Sequence, residues 1–360
     1  MRVFACGAAL RRVRAGRRSL SYSYQHGYHA GSFADVHKHV AYALILAELT
    51  RGAAATVIDA FAGRGAYDLR SATAARTDEW KGGVGRVAAE SAAPASDGLR
   101  RYVDAVRNFD DGGGPANYPG SPALAATLLR AGDSLVLLEQ HPAEHLALRA
   151  TMDRLVKRPG YAGPRITVRG RPCDAFDDDR GVLGALLDDG ALDGARPGVL
   201  LVDPAYELRP EYARVGAFVD GVLEKWPAAA VVVWYPILGD SRHNALLDGL
   251  GRSAPTLIAE LRTGAQPRRT VADGGDDAYE ATPRRGLVGT GLAVVNAPAS
   301  LEASLGAAGA EICAICFGDA GTHSVRPLGP APPAPPVAAG TGPGTPIFTP
   351  GKRQKARKRR

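Results

Sequence analysis

The sequence predicts an α/β protein built on an open, doubly wound sheet. Two patterns carry this reading. Apolar runs bounded by turn residues recur along the chain, several rich in Val, Ile and Leu without alternation, as in strands buried on both faces of a parallel sheet. Helical patterns lie between many of them, and strand–helix alternation builds such a sheet. The 360 residues, 45% of them hydrophobic, suffice for one large core or two modest ones.

The helical pattern HKHVAYALILAELT (37–50) precedes the first strand, ATVIDAFAG (55–63). SPALAATLLRAG (121–132) leads into DSLVLLEQH (133–141), followed by the strands RITVRG (165–170) and GVLLVDPAY (198–206). The helix LRPEYARVGAFVDGVLEKW (208–226) connects to AAVVVWYPI (229–237), and TGLAVVNAP (290–298) is the last such run. Between Tyr67 and Tyr118 lie about fifty residues with Gly-rich breaks and a helical pattern over GLRRYVDAVRNF (98–109). In so regular an alternation they read as a small helical insertion, about 68–117, after the first strand.

The ends differ from this body. Residues 1–34 hold six Arg and no acid, and the last nine residues, KRQKARKRR, hold seven Lys or Arg. Without these, 31 basic side chains face 37 acidic ones, so the net charge of +7 belongs to the ends. Residues 1–20 have the composition of a transit peptide, which implies a mitochondrion or plastid; without that role the address is cytoplasmic. Residues 327–350 carry nine prolines and no charge and read as a linker. The basic tail after it could bind phosphates, act as a nuclear import signal, or simply solubilise. The folded unit is expected over about 21–326. No apolar run reaches the ~18 residues of a membrane span, so no membrane role is expected. Four scattered cysteines fit a reducing compartment better than a disulfide-stapled domain.

Ligands bind such sheets at the carboxyl ends of the strands. Four strand ends carry suitable chemistry. The first, Asp59-Ala60-Phe61-Ala62-Gly63-Arg64-Gly65, has two glycines that permit a tight turn and close approach to a ligand, or serve only as a structural turn. Glu139 ends a second strand, where a carboxylate can accept both hydroxyls of a ribose. Asp174, followed by Ala175, could accept from an adenine amino group. The fourth is Asp203-Pro204-Ala205-Tyr206: a carboxylate, a carbonyl on a stiffened turn and an aromatic ring, a set that can hold a planar amine. His26, His29, His37 and His39 place four of eight histidines within fourteen residues, but no partner set completes a recognised spacing and no metal is expected. Cys313 and Cys316 read as part of a buried apolar segment.

The motifs SYQHGYHAGSFADVHKHV (23–40), NYPGSP (117–122), LLEQHP (137–142), VDPAYE (202–207), WYP (234–236) and GLVGTGLAVVNAP (286–298) occur in this order. With them the sequence resembles the RlmJ family, which methylates N6 of an adenine in large-subunit (23S-type) ribosomal RNA using S-adenosyl-L-methionine. The resemblance covers roughly residues 23–298. It implies a Rossmann-like methyltransferase sheet with a small helical subdomain, ribosomal RNA as partner and a monomer. The family's cofactor contacts fall on Lys38, His39, the turn from Phe61 through Gly63 and Gly65, Ser121, Glu139, Asp174 and Ala175. Its catalytic set falls on Asp203, Pro204 and Tyr206, with Tyr206 stacking the base; Tyr24 and His26 fall on its substrate side.

Three positions depart from the family. Asp-Pro-Pro-Tyr is here Asp-Pro-Ala-Tyr, a family His is Phe61, and Asn-Pro-Pro is Asn296-Ala297-Pro298. Two further readings follow from the residues. Asp-Pro-x-Tyr also serves DNA adenine-N6 methyltransferases, and Ala205 with Phe61 would suit a catalytically degenerate RNA-binding homologue. The acidic body leaves RNA contact to the tail or to a local patch of Arg64, Arg70, Arg76, Arg86, Arg100, Arg101 and Arg107.

Overall fold

The apolar runs TVID, SLVL and GVLLV become strands β1 (Thr56–Asp59), β4 (Ser134–Leu137) and β6 (Gly198–Val202), buried along almost their whole length. Their alternate side chains feed two separate cores. Val57, Leu135, Leu137, Val199 and Leu201 face one; Ile58, Val136, Leu200 and Val202 face the other. Each fully buried aliphatic side chain contributes roughly 1.5–3 kcal/mol, so the two cores hold the sheet as the middle of three layers.

The computed structural model describes residues 25–90, 94–109, 116–177, 181–188, 197–250, 254–264, 287–298 and 300–329. The chain divides at Pro330 into two units, the second of which, residues 331–360, lies wholly outside the described residues. The transit-like start, Tyr24, most of the proline-rich stretch and the basic tail therefore fall outside them.

Parallel strands β5 (Arg165–Val168), β4, β1, β6 and β7 (Ala229–Leu238) lie side by side in that order. The sheet continues with β9 (Leu287–Val295), β8 (Thr256–Arg262) and β10 (Thr322–Leu328), each antiparallel to its neighbours in this stretch. It is thus a Rossmann-like sheet with an antiparallel wing. The run TGLAVVNAP lies in β9 and is antiparallel; a strand covered on both faces reads the same in either direction. The order reverses at β1, whose neighbours β4 and β6 are reached by opposite crossovers, and sheets of this kind bind ligands at the strand ends beside such a switch point.

On the first face lie α1 (Phe33–Leu49), α5 (Ser121–Leu128), α6 (Pro142–Val156) and α10 (Leu301–Phe317). On the other lie α7 (Val182–Asp188), α8 (Arg209–Lys225) and α9 (Asn244–Leu250). Helices α5, α6 and α8 each carry a proline in the first turn, where the missing N–H has no intrahelical partner to lose. Helix α1 buries residues 34–46 throughout, including His37, Lys38 and His39. By length and hydropathy α10 and its continuation, Leu301–Ala320, could cross a membrane, although polar residues interrupt its apolar sequence. Here a stripe through Leu305, Ile312, Cys313 and Cys316 packs into the core.

After β1, a two-stranded ribbon of β2 (Ala66–Asp68) and β3 (Asn117–Pro119) brackets α2 (Glu79–Gly82), α3 (Val84–Glu90) and α4 (Asp97–Phe109). The helical segment is bound to the body. Val84 N donates to Gly31 O at 2.8 Å, Arg86 to Cys316 O at 2.9 Å, and Ala95 and Ser96 N to Glu311 at 2.7 and 2.8 Å.

Candidate active site

The ends of β1, β4 and β6 are stitched together by backbone hydrogen bonds: Ala60 N to Leu201 O at 3.0 Å, Leu138 N to Asp59 O and Ala62 N to Leu138 O, both at 2.9 Å. The turn that follows β1 passes through Gly63 and Gly65 with φ of 59° and 81°, a region that L side chains rarely enter. A Cβ on Gly63 would stand 2.5 Å from the Tyr67 hydroxyl. Glu139 secures this turn: Gly63 N donates to its Oε2 at 2.8 Å and His141 N to its Oε1 at 2.6 Å. Burial raises the Glu139 pKa, although these two amides oppose the shift.

Asp59, not singled out by its residue type, sits fully buried beneath the turn. Phe61 N donates to Oδ1 at 3.2 Å and the Ser121 hydroxyl bonds to the carboxyl, while among the described residues Oδ2 has no partner. Burial pushes the carboxyl up to about 7 against the pull of those hydrogen bonds. An unfolded Asp titrates near ~3.9, so the folded chain holds the extra proton between roughly pH 4 and 7. Stability therefore falls as pH rises through that window. Asp59→Asn is expected to flatten the fall, checked by urea unfolding at pH 4, 5, 6 and 8; an unchanged slope would place its origin elsewhere.

The residues after β5 complete a second wall. Cys173 N donates to Glu139 O at 2.9 Å, and the Phe61 and Phe176 rings lie 5.4 Å apart. Asp174 accepts from Phe176 N at 3.0 Å and pairs with Arg214 at 3.6 Å, while Ala175 is buried. Ser121 opens α5 and is buried at the turn. His39 shares a 2.8 Å hydrogen bond with Tyr118; burial lowers its pKa to about 3, and among the described residues Nε2 has no partner.

Asp203 follows β6 and meets Lys38 from α1. Lys38 Nζ lies 2.6 Å from Asp203 Oδ2 and 2.9 Å from Asp35 Oδ1. Among the described residues no donor reaches Asp203 Oδ1. Asp35 Oδ2 accepts from His26 Nε2 and Gly31 N, both at 2.9 Å. Burial acts against the Lys38 charge, but Asp203 and Asp35 outweigh it and raise its pKa well above the usual lysine range. Burial likewise acts against the Asp35 charge, yet His26 and Lys38 hold its pKa well below the carboxylate range. Pro204 is buried and Ala205 exposed on the same turn.

Two expected roles meet a different geometry. Lys38, a cofactor contact by resemblance, turns its ammonium to Asp203. Tyr206, expected to stack a base, is 1% exposed, its ring 4.5 Å from that of Tyr212 and its hydroxyl donating to Trp234 O at 2.9 Å. As placed, it offers no open face. Its φ of 50° marks a strained turn held by those contacts. Of the other histidines, His29 bonds to Glu79 at 2.9 Å, while His37 is buried edge-on to His323 at 6.2 Å and, among the described residues, no partner reaches its Nδ1. Much of the arginine patch is engaged internally. Arg64 pairs with Glu144, Arg70 with Asp68, and Arg100 and Arg101 with Asp97. Arg76 lies 5.5 Å over Tyr28.

A Rossmann-like sheet that brings a glycine turn, a strand-end glutamate and a strand-end Asp-Pro-x-Tyr together has the fold of a methyltransferase. The family model described as ribosomal RNA large subunit methyltransferase D, RlmJ, matches residues 52–326, and the chain belongs to this family. It is 28% identical over 281 residues to ribosomal RNA large subunit methyltransferase J of Escherichia coli, covering 78% of this chain and 89% of that one. Against the protein of the same name from Haemophilus influenzae the identity is 28% over 286 residues, 79% and 90% of the two chains. A crystal structure of protein LPL1258 from Legionella pneumophila shares the fold, with a TM-score of 0.66, 24% identity, and coverage of 83% of this chain and 98% of that one.

Proposed function

We propose that this chain transfers a methyl group from S-adenosyl-L-methionine to the N6 amine of an adenine in large-subunit ribosomal RNA. The observation that carries this reading is Asp203 at the switch-point crevice, one oxygen held by Lys38 and the other open. The named activity of the two relatives supports the ribosomal substrate.

The residues at the crevice fit the cofactor. The unpartnered Oδ2 of Asp59 and the strand-end turn without a Cβ at Gly63 suit its amino-acid arm, with Ser121 bonded to the same carboxyl; His39 is enclosed by Tyr118 and Tyr102 and would act from behind. Each Glu139 oxygen accepts one amide and keeps a lone pair for a ribose hydroxyl. Phe61, Ala175 and Phe176 offer an apolar slot for the adenine ring, with Asp174 at its edge. When bound, the cofactor supplies a methyl carbon whose bond to sulfur breaks, leaving the electron pair on sulfur, as the amine lone pair attacks.

The chain's own part is orientation and proton transfer. A target adenine must leave its stack to reach the crevice. Asp203 Oδ1 and the Pro204 carbonyl accept from the two N6 hydrogens, which aligns the nitrogen lone pair. As positive charge develops on N6, Asp203 accepts one proton and leaves a neutral secondary amine. Tyr206 keeps the Asp-Pro turn in shape from within the core, and His26 would serve the substrate side. Positioning and preorganised charge supply most of the acceleration in such a displacement.

The test is methylation of in vitro transcribed large-subunit ribosomal RNA with labelled S-adenosyl-L-methionine, followed by mass spectrometry of the nucleosides. N6-methyladenosine in RNA is expected. Product in duplex DNA alone would transfer the reading to a DNA enzyme. Absence of cofactor binding by calorimetry would leave an RNA-binding protein without catalysis.

A further inference from the structure

We propose that Asp35 is a positioning residue for this reaction, holding the Lys38 ammonium so that it secures one oxygen of Asp203 and leaves the other to the amine. The inference rests on the methyl-transfer reading and extends it to a group that touches neither substrate nor cofactor.

The geometry is that of a fixed hub. The Asp35 side chain is 4% exposed and that of Lys38 5%. Oδ1 of Asp35 holds Nζ at 2.9 Å, while Oδ2 takes Gly31 N and His26 Nε2, both at 2.9 Å. Rotating this carboxylate breaks three contacts at once. Lysine carries its charge on a flexible four-carbon stem and fixes no direction by itself; anchoring from a second carboxylate on the preceding helical turn supplies it.

Charge arithmetic gives Asp35 a second task. When Asp203 accepts a proton from N6, it ceases to be an anion. A buried ammonium 2.6 Å away would then lose its counter-charge, and stranding one member of a buried pair is strongly unfavourable. Asp35 keeps Lys38 paired before and after that transfer. The hub joins the turn at His26 to the reacting carboxylate through His26, Asp35, Lys38 and Asp203 in sequence.

The experiment uses the full chain, S-adenosyl-L-methionine and in vitro transcribed large-subunit ribosomal RNA under single-turnover conditions. Asp35→Asn is expected to lower the rate of methyl transfer by about 10-fold or more, with cofactor affinity and the RNA concentration at half-saturation within about 2-fold of wild type. Lys38→Met is compared with Lys38→Met/Asp35→Asn, which needs no folding of the single Asp35 variant. If Asp35 acts through Lys38, these two have the same rate within about 2-fold. A further loss of about 10-fold in the double variant, or a wild-type rate in Asp35→Asn, overturns the inference. Wild-type protein that methylates neither RNA nor DNA overturns the methyl-transfer reading itself, and the inference with it.

Discussion

Asp203→Ala is expected to lower methyl transfer by roughly 10²–10⁴-fold while S-adenosyl-L-methionine still binds, because it removes both an aligning acceptor and the proton acceptor. The loss has a second component. In the variant the Lys38 ammonium remains in place, paired with Asp35 at 2.9 Å, and now stands near an amine that becomes positive as it reacts. The same pair keeps a buried charge from being stranded, so the protein should remain folded. Asp203→Asn keeps one acceptor oxygen, which the Lys38 ammonium holds, so an amide donor faces the amine with no base; its loss should be of the same order. Single-turnover rates together with calorimetric titration of the cofactor check this. A rate within threefold of wild type in Asp203→Ala would remove Asp203 from the chemistry.

Glu139→Ala should produce the largest loss of cofactor affinity, about 100-fold or more. Two charge-assisted hydrogen bonds to a ribose are worth roughly 1.5–3 kcal/mol each, and every 1.4 kcal/mol is about a factor of ten. The glutamate also holds the turn from which the cofactor site is built, through Gly63 N at 2.8 Å and His141 N at 2.6 Å. Without it, two backbone donors face a gap, so stability should fall by about 1–3 kcal/mol for each that stays unsatisfied. Glu139→Gln retains one acceptor but sets an amide donor against a backbone donor, which predicts a loss nearer 10-fold. Calorimetry well below the unfolding temperature, with thermal melts alongside, separates affinity from stability. Unchanged affinity in both variants would assign the ribose to another group.

The strands that place the site were legible because burial on both faces leaves a local mark. At the centres of these strands VI, LVL and VLLV are apolar without interruption, and the acids Asp59, Glu139 and Asp203 stand where polar residues return. Other elements carried no such mark. Strand β8, TLIAELR, mixes charge with aliphatics. Strand β10, THSVRPL, contains Pro327, which a central strand would exclude and which β10 tolerates at the sheet edge. Among the site residues, Asp203 and Glu139 were found because strand-end acids next to turn residues are conspicuous. Asp59 resembled any strand-terminal acid; its unusual proton affinity comes from surrounding bulk that no window of sequence contains. Asp35 lies among four histidines and carries no mark of its own, because its role depends on a lysine one turn away and a carboxylate on another element.

By itself, then, the amino-acid sequence determined which segments form the buried strands, that their ends carry carboxylates and a glycine turn, and that a helical segment interrupts the series after the first strand. Only the tertiary structure decided that β9 runs against its neighbours, that Tyr206 is enclosed, and that Lys38 meets Asp203 across 165 positions of sequence. The physical reason is range. Hydrophobic period and turn chemistry act over a few residues and are written locally. Strand direction, burial of a charge and the partner of an ammonium depend on groups brought together only when the whole sheet closes over its helices.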